Sequence, residues 1–487
     1  MDLRTALLLI PFAMLPLLCP AEEQAKPFKL HEIAVGKEML ITDLAVVNAP
    51  EANYPGVWSF GHLVDEAFGP AKSREIVAGW LEGWANGSGP GCSGENRIAG
   101  RENLYSLVIA PWKQRDGYQG GAAPWLPNLT NAPFRLLAIV NRLDLGRPVN
   151  PPSTSSTSLG STGGYSGGDS LAKAPSGEAR LIFGTVDSKG EPLAGGMTLI
   201  FEYGLDGNAV NWARGWHALG EHQDFDNAYC ADLAAFTRSF TDRRLETTSL
   251  PVTPGAPSGT CQLLRIRTND GACGKLREFR QFDVAPPALT AVRLPGTPDE
   301  PFFKKGSKEN RLLSAWLDQQ RIASKEVAEK FARENKPVPD SMRTEIPASL
   351  PSLPSLSLRG KSNPVSVSGF VSTVENNDKQ FHWEGWGLRD ERLHRLLSAQ
   401  TCCGCHCGDT GTEFFHVAPR SYGEPAAVSK FLRTDGSKLR LKDPASRHSF
   451  ETAEMEDRKR LYLDLLSPGL SNSEIKKLAG ERAGRIH

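Results

Sequence analysis

The runs "FRLLAIVNR" (134–142), "EARLIFGTV" (178–186) and "MTLIFEYGL" (197–205) constrain the fold more than any other feature of this chain. Each is short, apolar and partly β-branched or aromatic, which is the pattern of a strand buried on both faces. Yet each carries a charge, at Arg142, Arg180 and Glu202, and Asp144 follows the first run closely. A charge inside such a strand must be paired or must face a cleft, because an isolated buried ion is costly. A structural ion pair is the expected account, and use by a substrate is the alternative. "LYSLVIA" (104–110) reads as a further strand. "FGHLVDEAF" (60–68), "SREIVAGWLEGWA" (73–85, with Ser73 as N-cap) and "AYCADLAAFTRSFTDR" (228–243) carry apolar residues at helical spacing, and 309–335 reads as two helices. No regular βαβ alternation emerges, so the expected class is α+β rather than doubly wound α/β.

Composition shifts divide the chain. Residues 28–335 read as one large mixed α+β domain. It is interrupted at 150–177 by a Ser/Thr/Gly/Pro-rich stretch with too little apolar surface to order itself. Residues 336–364 are Pro/Ser-rich and read as a semi-extended linker or strap. Residues 365–487 begin with a strand pattern, "VSVSGFVSTV". They continue through the helical "RDERLHRLLSAQ" (389–400) into a cysteine cluster and then "ETAEMEDRKRLYLDLL" (451–466). That part reads as a small, mainly helical, cysteine-rich module.

The N-terminus has Arg4, an apolar run from Ala6 to Leu18, and small residues before Ala21. This fits a secretory signal over 1–21, and the run is too short to span a bilayer comfortably. Cys19 raises the option of a lipoprotein. The expected location is therefore periplasmic, outer-membrane-associated or extracellular, with no transmembrane segment in the mature chain. Lys+Arg and Asp+Glu are both 56, so the basic footprint of a nucleic-acid binder is missing.

Outside the cytoplasm, cysteines pair or bind cofactors. Of the nine cysteines, four fall between Cys402 and Cys407 in "QTCCGCHCGDTG". Cys402-Cys403-Gly404-Cys405-His406 fits C-x-x-C-H: two thiols spaced for the two vinyl groups of one porphyrin edge, then an imidazole beneath the iron. Covalent haem c on Cys402 and Cys405, with His406 as proximal ligand, is the leading expectation. Met455 and His416 are the candidates for the sixth position. Cys403 and Cys407 are then left to pair with each other. The rivals are a disulfide-only cluster and a soft metal site built from these thiols and a histidine. Of the scattered cysteines, "CQLLRIRTNDGAC" reads as strand, turn, strand, which suggests Cys261–Cys273 and leaves Cys92 for Cys230.

Taken together, "VWSFGHLVDEAFG", "PFRLLAIVNRLDLG", "GEARLIFGTVD", "LREFRQF" and "LLSAQTCCGCHCGDTGTEFFHVAPRSYGEPAAVSKFL" resemble an uncharacterised family of large secreted bacterial proteins and lipoproteins with a C-terminal cytochrome-c-like motif. The resemblance implies secretion and no particular reaction. The family motif has the form "TCNGCH"; this chain has Cys403 in place of the Asn and adds Cys407.

The functional expectation is an exported redox protein that carries electrons on c-type haem to an unknown partner. The alternative is a non-enzymatic binding or envelope-structural protein with the cluster as a disulfide staple. His217, His222, Asp224 and Asp226 lie within one short stretch; it reads as a polar loop before a helix, with Asp226 as N-cap, ahead of a cation site. Trp58, Trp80, Trp84, Trp112 and Trp125 read as core residues ahead of a sugar- or peptide-binding set.

Overall fold

A computed structural model of the chain describes residues 31–87, 100–146, 174–193, 196–243, 262–270, 276–285, 288–292, 294–295, 306–345, 368–369, 371–375, 393, 412–442 and 449–467. Residues 1–30, most of the 150–177 stretch, most of 336–364 and the whole cysteine cluster lie outside the described residues.

An antiparallel sheet organises the described chain. Its strands are β1 (Leu40–Ile41), β2 (Phe134–Arg142), β3 (Glu178–Thr185), β4 (Met197–Gly204), β5 (Gln262–Asp270), β6 (Leu276–Ala285), β7 (Ala288–Val292) and β10 (Val371–Glu375). The order is β1-β2-β3-β4-β5-β6-β10. β6 is long enough to serve two partners on one edge: Leu276–Arg280 pairs with β10, and Gln281–Ala285 with β7. β8 (Leu294–Pro295) pairs with β9 (Ser368–Gly369), and β11 (Leu439–Lys442) forms a hairpin with β12 (Ser449–Thr452).

The period of two along each strand sends alternate side chains to opposite faces. One face presents Phe134, Phe183, Phe201, Tyr203 and Phe282. Helices α1 (Val35–Glu38), α2 (Leu44–Val47), α3 (Phe60–Phe68), α4 (Ser73–Asn86), α5 (102–115), α6 (Ala209–Leu219) and α7 (Asn227–Thr241) supply the other half of the core. Phe60 of α3 packs on Phe134, Phe183 and Phe201; Trp80 and Trp84 of α4 meet Phe282; Phe240 of α7 meets Tyr203. Ring pairs at these tilted and edge-on angles add to the plain burial of aromatic area. The five N-terminal tryptophans are all buried, as expected of core residues.

Residues 308–319 form α8 and residues 325–333 form α9, the two expected helices, with Ser307 and Ser324 as N-caps. Glu454–Leu466 forms α10. Two local expectations are corrected. "LYSLVIA" is helical, within α5, because Val108, Ile109 and Trp112 recur at helical spacing on the buried side. Ser73 is the first residue of α4 rather than its cap; its hydroxyl donates to Asp65 instead.

The helices with the antiparallel sheet make the architecture α+β. Its core crosses the expected division at 336–364. β10 joins the main sheet, and Val417, Ala426, Leu432, Met455 and Tyr462 belong to the same buried cluster as Ile33 and Phe201. Gly184 shows how closely the C-terminal part sits: a Cβ there would lie 3.1 Å from Pro419 Cα.

Candidate functional site

The buried carboxylate of Glu38, at the end of the single turn α1, collects donors from three distant parts of the chain. Oε1 accepts from Ala34 N–H at 2.8 Å and lies 3.4 Å from His31 Nε2. Oε2 accepts from His217 Nδ1 at 2.8 Å and from the Tyr462 hydroxyl at 3.2 Å. The single Tyr462 hydroxyl proton is shared with Ala213 O at 3.0 Å, which ties α10 to α6. His31 N–H donates in turn to His217 Nε2 at 3.2 Å. The imidazoles of His31 and His217 are stacked, 3.7 Å apart and 9° from parallel. Gly220 closes the site; a Cβ there would overlap Glu38 Oε1 and His31 Nε2. Burial pushes the Glu38 carboxyl up, but hydrogen bonds from His217 and His31 outweigh it and hold it below the usual carboxylate range. Burial and the Glu38 charge push the Tyr462 phenol well above its ordinary value.

Ligand atoms of His31, Glu38 and His217 lie within 4.8 Å of one another, close enough to raise the question of a metal ion. The arrangement does not fit one. An imidazole binds metal through an in-plane lone pair, and two nearly parallel rings stacked at 3.7 Å hold those lone pairs in separate planes rather than aiming them at one point. The Nε2 of His217 accepts from a backbone N–H, so its Nδ1 holds the proton and has no lone pair to give.

The rest of the polar stretch after His217 behaves as a loop and a cap. Asp226 is the N-cap of α7 and accepts from Tyr229 N–H at 2.8 Å; His222 pairs with Asp232 at 2.9 Å.

The second face of the sheet carries the strand charges. Arg180, Glu202, Arg265 and Asp283 stand side by side across β3, β4, β5 and β6. Glu202 is fully enclosed and meets Arg180 at 2.9 Å, Arg267 at 3.2 Å and Arg265 at 3.5 Å. Glu178 meets Arg180 at 2.7 Å. Arg142 grips Asp144 with two nitrogens, Nε and Nη2, each at 2.9 Å, and Arg458 meets Glu454 at 2.8 Å. Burial drags the Arg267 guanidinium down to about 10, against the pull of Glu202. For the described residues the structural ion pair is therefore the right account, rather than an open cleft. A groove of about 730 Å³ beside Tyr54, Asp65, Arg74, Asp116, Tyr118 and Leu126 is likewise braced by its own walls. Asp116 accepts from Trp125 Nε1, Asn128 N–H and Asn131 Nδ2.

Cys402, Cys403, Cys405, His406 and Cys407 lie outside the described residues, but the chain that follows them is firmly held. Phe414 packs on Phe279, 5.0 Å between ring centres. Arg420 is buried and donates through Nη1 to the carbonyls of Ser421, Tyr422 and Glu424, and through Nη2 to Asn48 Oδ1 at 2.7 Å. Burial, with Arg135 nearby, lowers its guanidinium to about 10. His416 is half-buried; its Nδ1 is 2.9 Å from Ser429 Oγ and its ring stacks on Phe431. Met455 is 1% exposed, inside the common core.

The expected disulfides fare differently. Cys230 is a buried free thiol, 3.6 Å from Ala45 O, and its expected partner Cys92 lies outside the described residues. Cys261 and Cys273, expected to pair with each other, also lie outside them. Two antiparallel strands do flank this stretch, but the first runs through Thr268, Asn269 and Asp270, into the expected "TNDG" turn.

Glu38, His31 and Tyr462 escaped sequence reasoning. Glu38 lies 179 residues from His217 and 424 from Tyr462, and nothing local in "VGKEML" marks it as a hub. No family model matches the chain, and no curated protein or solved structure matches it either.

Proposed function

We propose that the chain is an exported redox protein carrying one c-type haem, bound through Cys402 and Cys405 with His406 as proximal ligand. The observation that carries this reading is the sequence Cys402-Cys403-Gly404-Cys405-His406 itself, supported by the leader-like residues 1–21. Bound haem would supply reversible one-electron exchange. The chain's own contribution is to hold it and to set its sixth ligand. His416 suits that role better than Met455. Its Nδ1 is fixed by Ser429, the kind of outer contact that orients a ligating imidazole, whereas Met455 is used by the core. Two imidazoles would set a lower potential than a thioether partner.

The test is the absorption spectrum of the mature protein, made in a periplasm with haem-attachment machinery and read as a pyridine haemochrome after denaturation. A sharp α-band that survives denaturation, and disappears in Cys402→Ala/Cys405→Ala, is expected. A colourless protein with no free thiol in the cluster overturns the reading. It would favour the second reading, a non-enzymatic binding or envelope-structural protein stapled by disulfides. One observation favours that alternative: Arg142, Arg180 and Glu202 are engaged by the fold's own ion pairs.

A further inference from the structure

We infer that the groove beside Tyr54 is a saccharide-binding site, which takes a short run of neutral pyranose units against the rings of Tyr54 and Tyr118. The inference goes beyond the haem reading and does not depend on it.

At about 730 Å³ the groove has the size of a small-molecule site, for which roughly 300–1,000 Å³ is usual. Its rings are set in advance. Tyr54 lies against α3, where a Cβ on Gly61 would overlap its ring, and its hydroxyl donates to Asp65 Oδ2 at 3.2 Å. It lines the groove and is 38% exposed, so the rest of the ring is open to a ligand. Tyr118 is held by its hydroxyl, which donates to Ala123 O at 2.9 Å, and by Lys113 Nζ, 5.8 Å from the ring centre. Behind them the buried Trp125 stands edge-on to Trp112 at 5.5 Å. A pyranose presents C–H bonds on its faces and hydroxyls around its edge. The C–H faces pack on the negative face of an aromatic ring. Rings already held in place cost the ligand little ordering.

The polar lining has capacity left over, of both kinds. Asp65 accepts one bond on each oxygen, from Ser73 and Tyr54, and each oxygen keeps a second lone pair. Asp116 Oδ2 is filled by Trp125 and Asn128, but Oδ1 accepts only from Asn131. Arg74 spends Nε on Pro127 O and Nη2 on Leu126 O, and its Nη1 has no partner among the described residues. The Asn128 carboxamide accepts from Thr130 N–H, and its Nδ2 is likewise without a partner among them. Free acceptors beside free donors suit a hydroxyl, which both donates and accepts. Other ligand classes fit less well. One arginine among two carboxylates does not favour an anion. An extended proline-rich peptide also docks on rings, but it offers carbonyls in need of donors. The ring donors it would use, on Tyr54, Tyr118 and Trp125, are all spent on the walls.

The test is calorimetric titration of the full chain with cellohexaose, maltohexaose and chitohexaose, and with decaproline as the peptide control. Saturable binding of at least one hexasaccharide is expected. Tyr54→Ala should weaken it about tenfold or more, whereas Tyr54→Phe, which keeps the ring, should stay within about threefold of wild type. Binding of none of the three sugars overturns the proposal. So does a sugar that binds wild type and Tyr54→Ala equally, because it sits elsewhere. Decaproline binding in place of the sugars would assign the groove to extended peptides and also overturns it. If Tyr54→Ala does not fold, the indole N–H signal of Trp125 in the wild type decides instead. Its acceptor Asp116 lines the groove, so the signal should move as sugar saturates the site. A signal that stays in place at saturation overturns the assignment.

Discussion

Phe201 and Glu202 are neighbours in β4, equally enclosed, and stand on opposite faces of the same sheet. The Phe201 face is held by rings packed edge-on and tilted against rings. The Glu202 face is held by a lattice of carboxylates and guanidinia. The first kind of burial is non-directional and improves with every apolar neighbour. The second gains little over an apolar substitute, because each ion forfeits its hydration before its partner repays it. The difference teaches that the aromatic face supplies the stability, while the ionic face supplies register. A one-residue slip of β4 against β3 would move Glu202 off Arg180 and into the rings.

The largest expected effects test that contrast directly. Phe201→Ala should cost about 3–5 kcal/mol in urea unfolding, through lost burial and a cavity. Glu202→Gln should cost about as much, 3–5 kcal/mol on the usual scale for a broken buried pair, by leaving Arg180, Arg265 and Arg267 short of one carboxylate. The two faces separate when rescue is tried. Phe201→Leu should recover most of its loss alone. The Glu202 loss should be recovered only by replacing the lattice together, as in E178L/R180M/E202L/R265M/R267M. If Glu202→Gln is harmless by itself, the lattice is not a coupled unit and the comparison fails.

A smaller effect is expected at Arg420, which joins the chain after the cysteine cluster to Asn48 and β2. Arg420→Met removes these charge-assisted bonds and should cost about 2–3 kcal/mol. It should also expose residues 412–432 to protease before the sheet unfolds. Simultaneous loss of both would mean that this segment is as integral to the core as β4.

These same residues show what a sequence reader can and cannot see. β2, β3 and β4 were legible because strand period and composition are local properties, and the charges at Arg142, Arg180 and Glu202 already required partners. The partners were not legible. Arg265 and Arg267 become neighbours of Glu202 only through the β4–β5 register, and Arg458 joins through a helix from the far end of the chain. "LYSLVIA" misled because a short apolar run fits either period, and packing of Trp112 decided for the helix. The entry of β10 into the main sheet was hidden by the Pro/Ser-rich strap before it. In the Glu38 site, His217 was noticed for the wrong neighbours: His222 and Asp226 are near it in sequence, Glu38 and Tyr462 in space.

The smallest expected effect lies at the rim of the ionic face, in the first turn of α10. Burial pushes the Asp457 carboxyl up to about 6; Arg460 opposes, and Glu454 and Glu456 add to the rise. The folded chain thus holds this proton more tightly than the unfolded chain, whose value is near 3.8. Linkage then gives the sign: the group favours folding below about pH 4, and that favour drains away as pH rises through about 6. At pH 7.5 an ionised Asp457 is a burden, so Asp457→Asn should stabilise the protein by about 1 kcal/mol after the loss of its bond to Arg460. At pH 4 the same substitution should give nothing, since the wild-type carboxyl is already neutral. A gain that persisted undiminished at pH 4 would have to come from helix propensity or packing, and would remove Asp457 from the electrostatic account of this face.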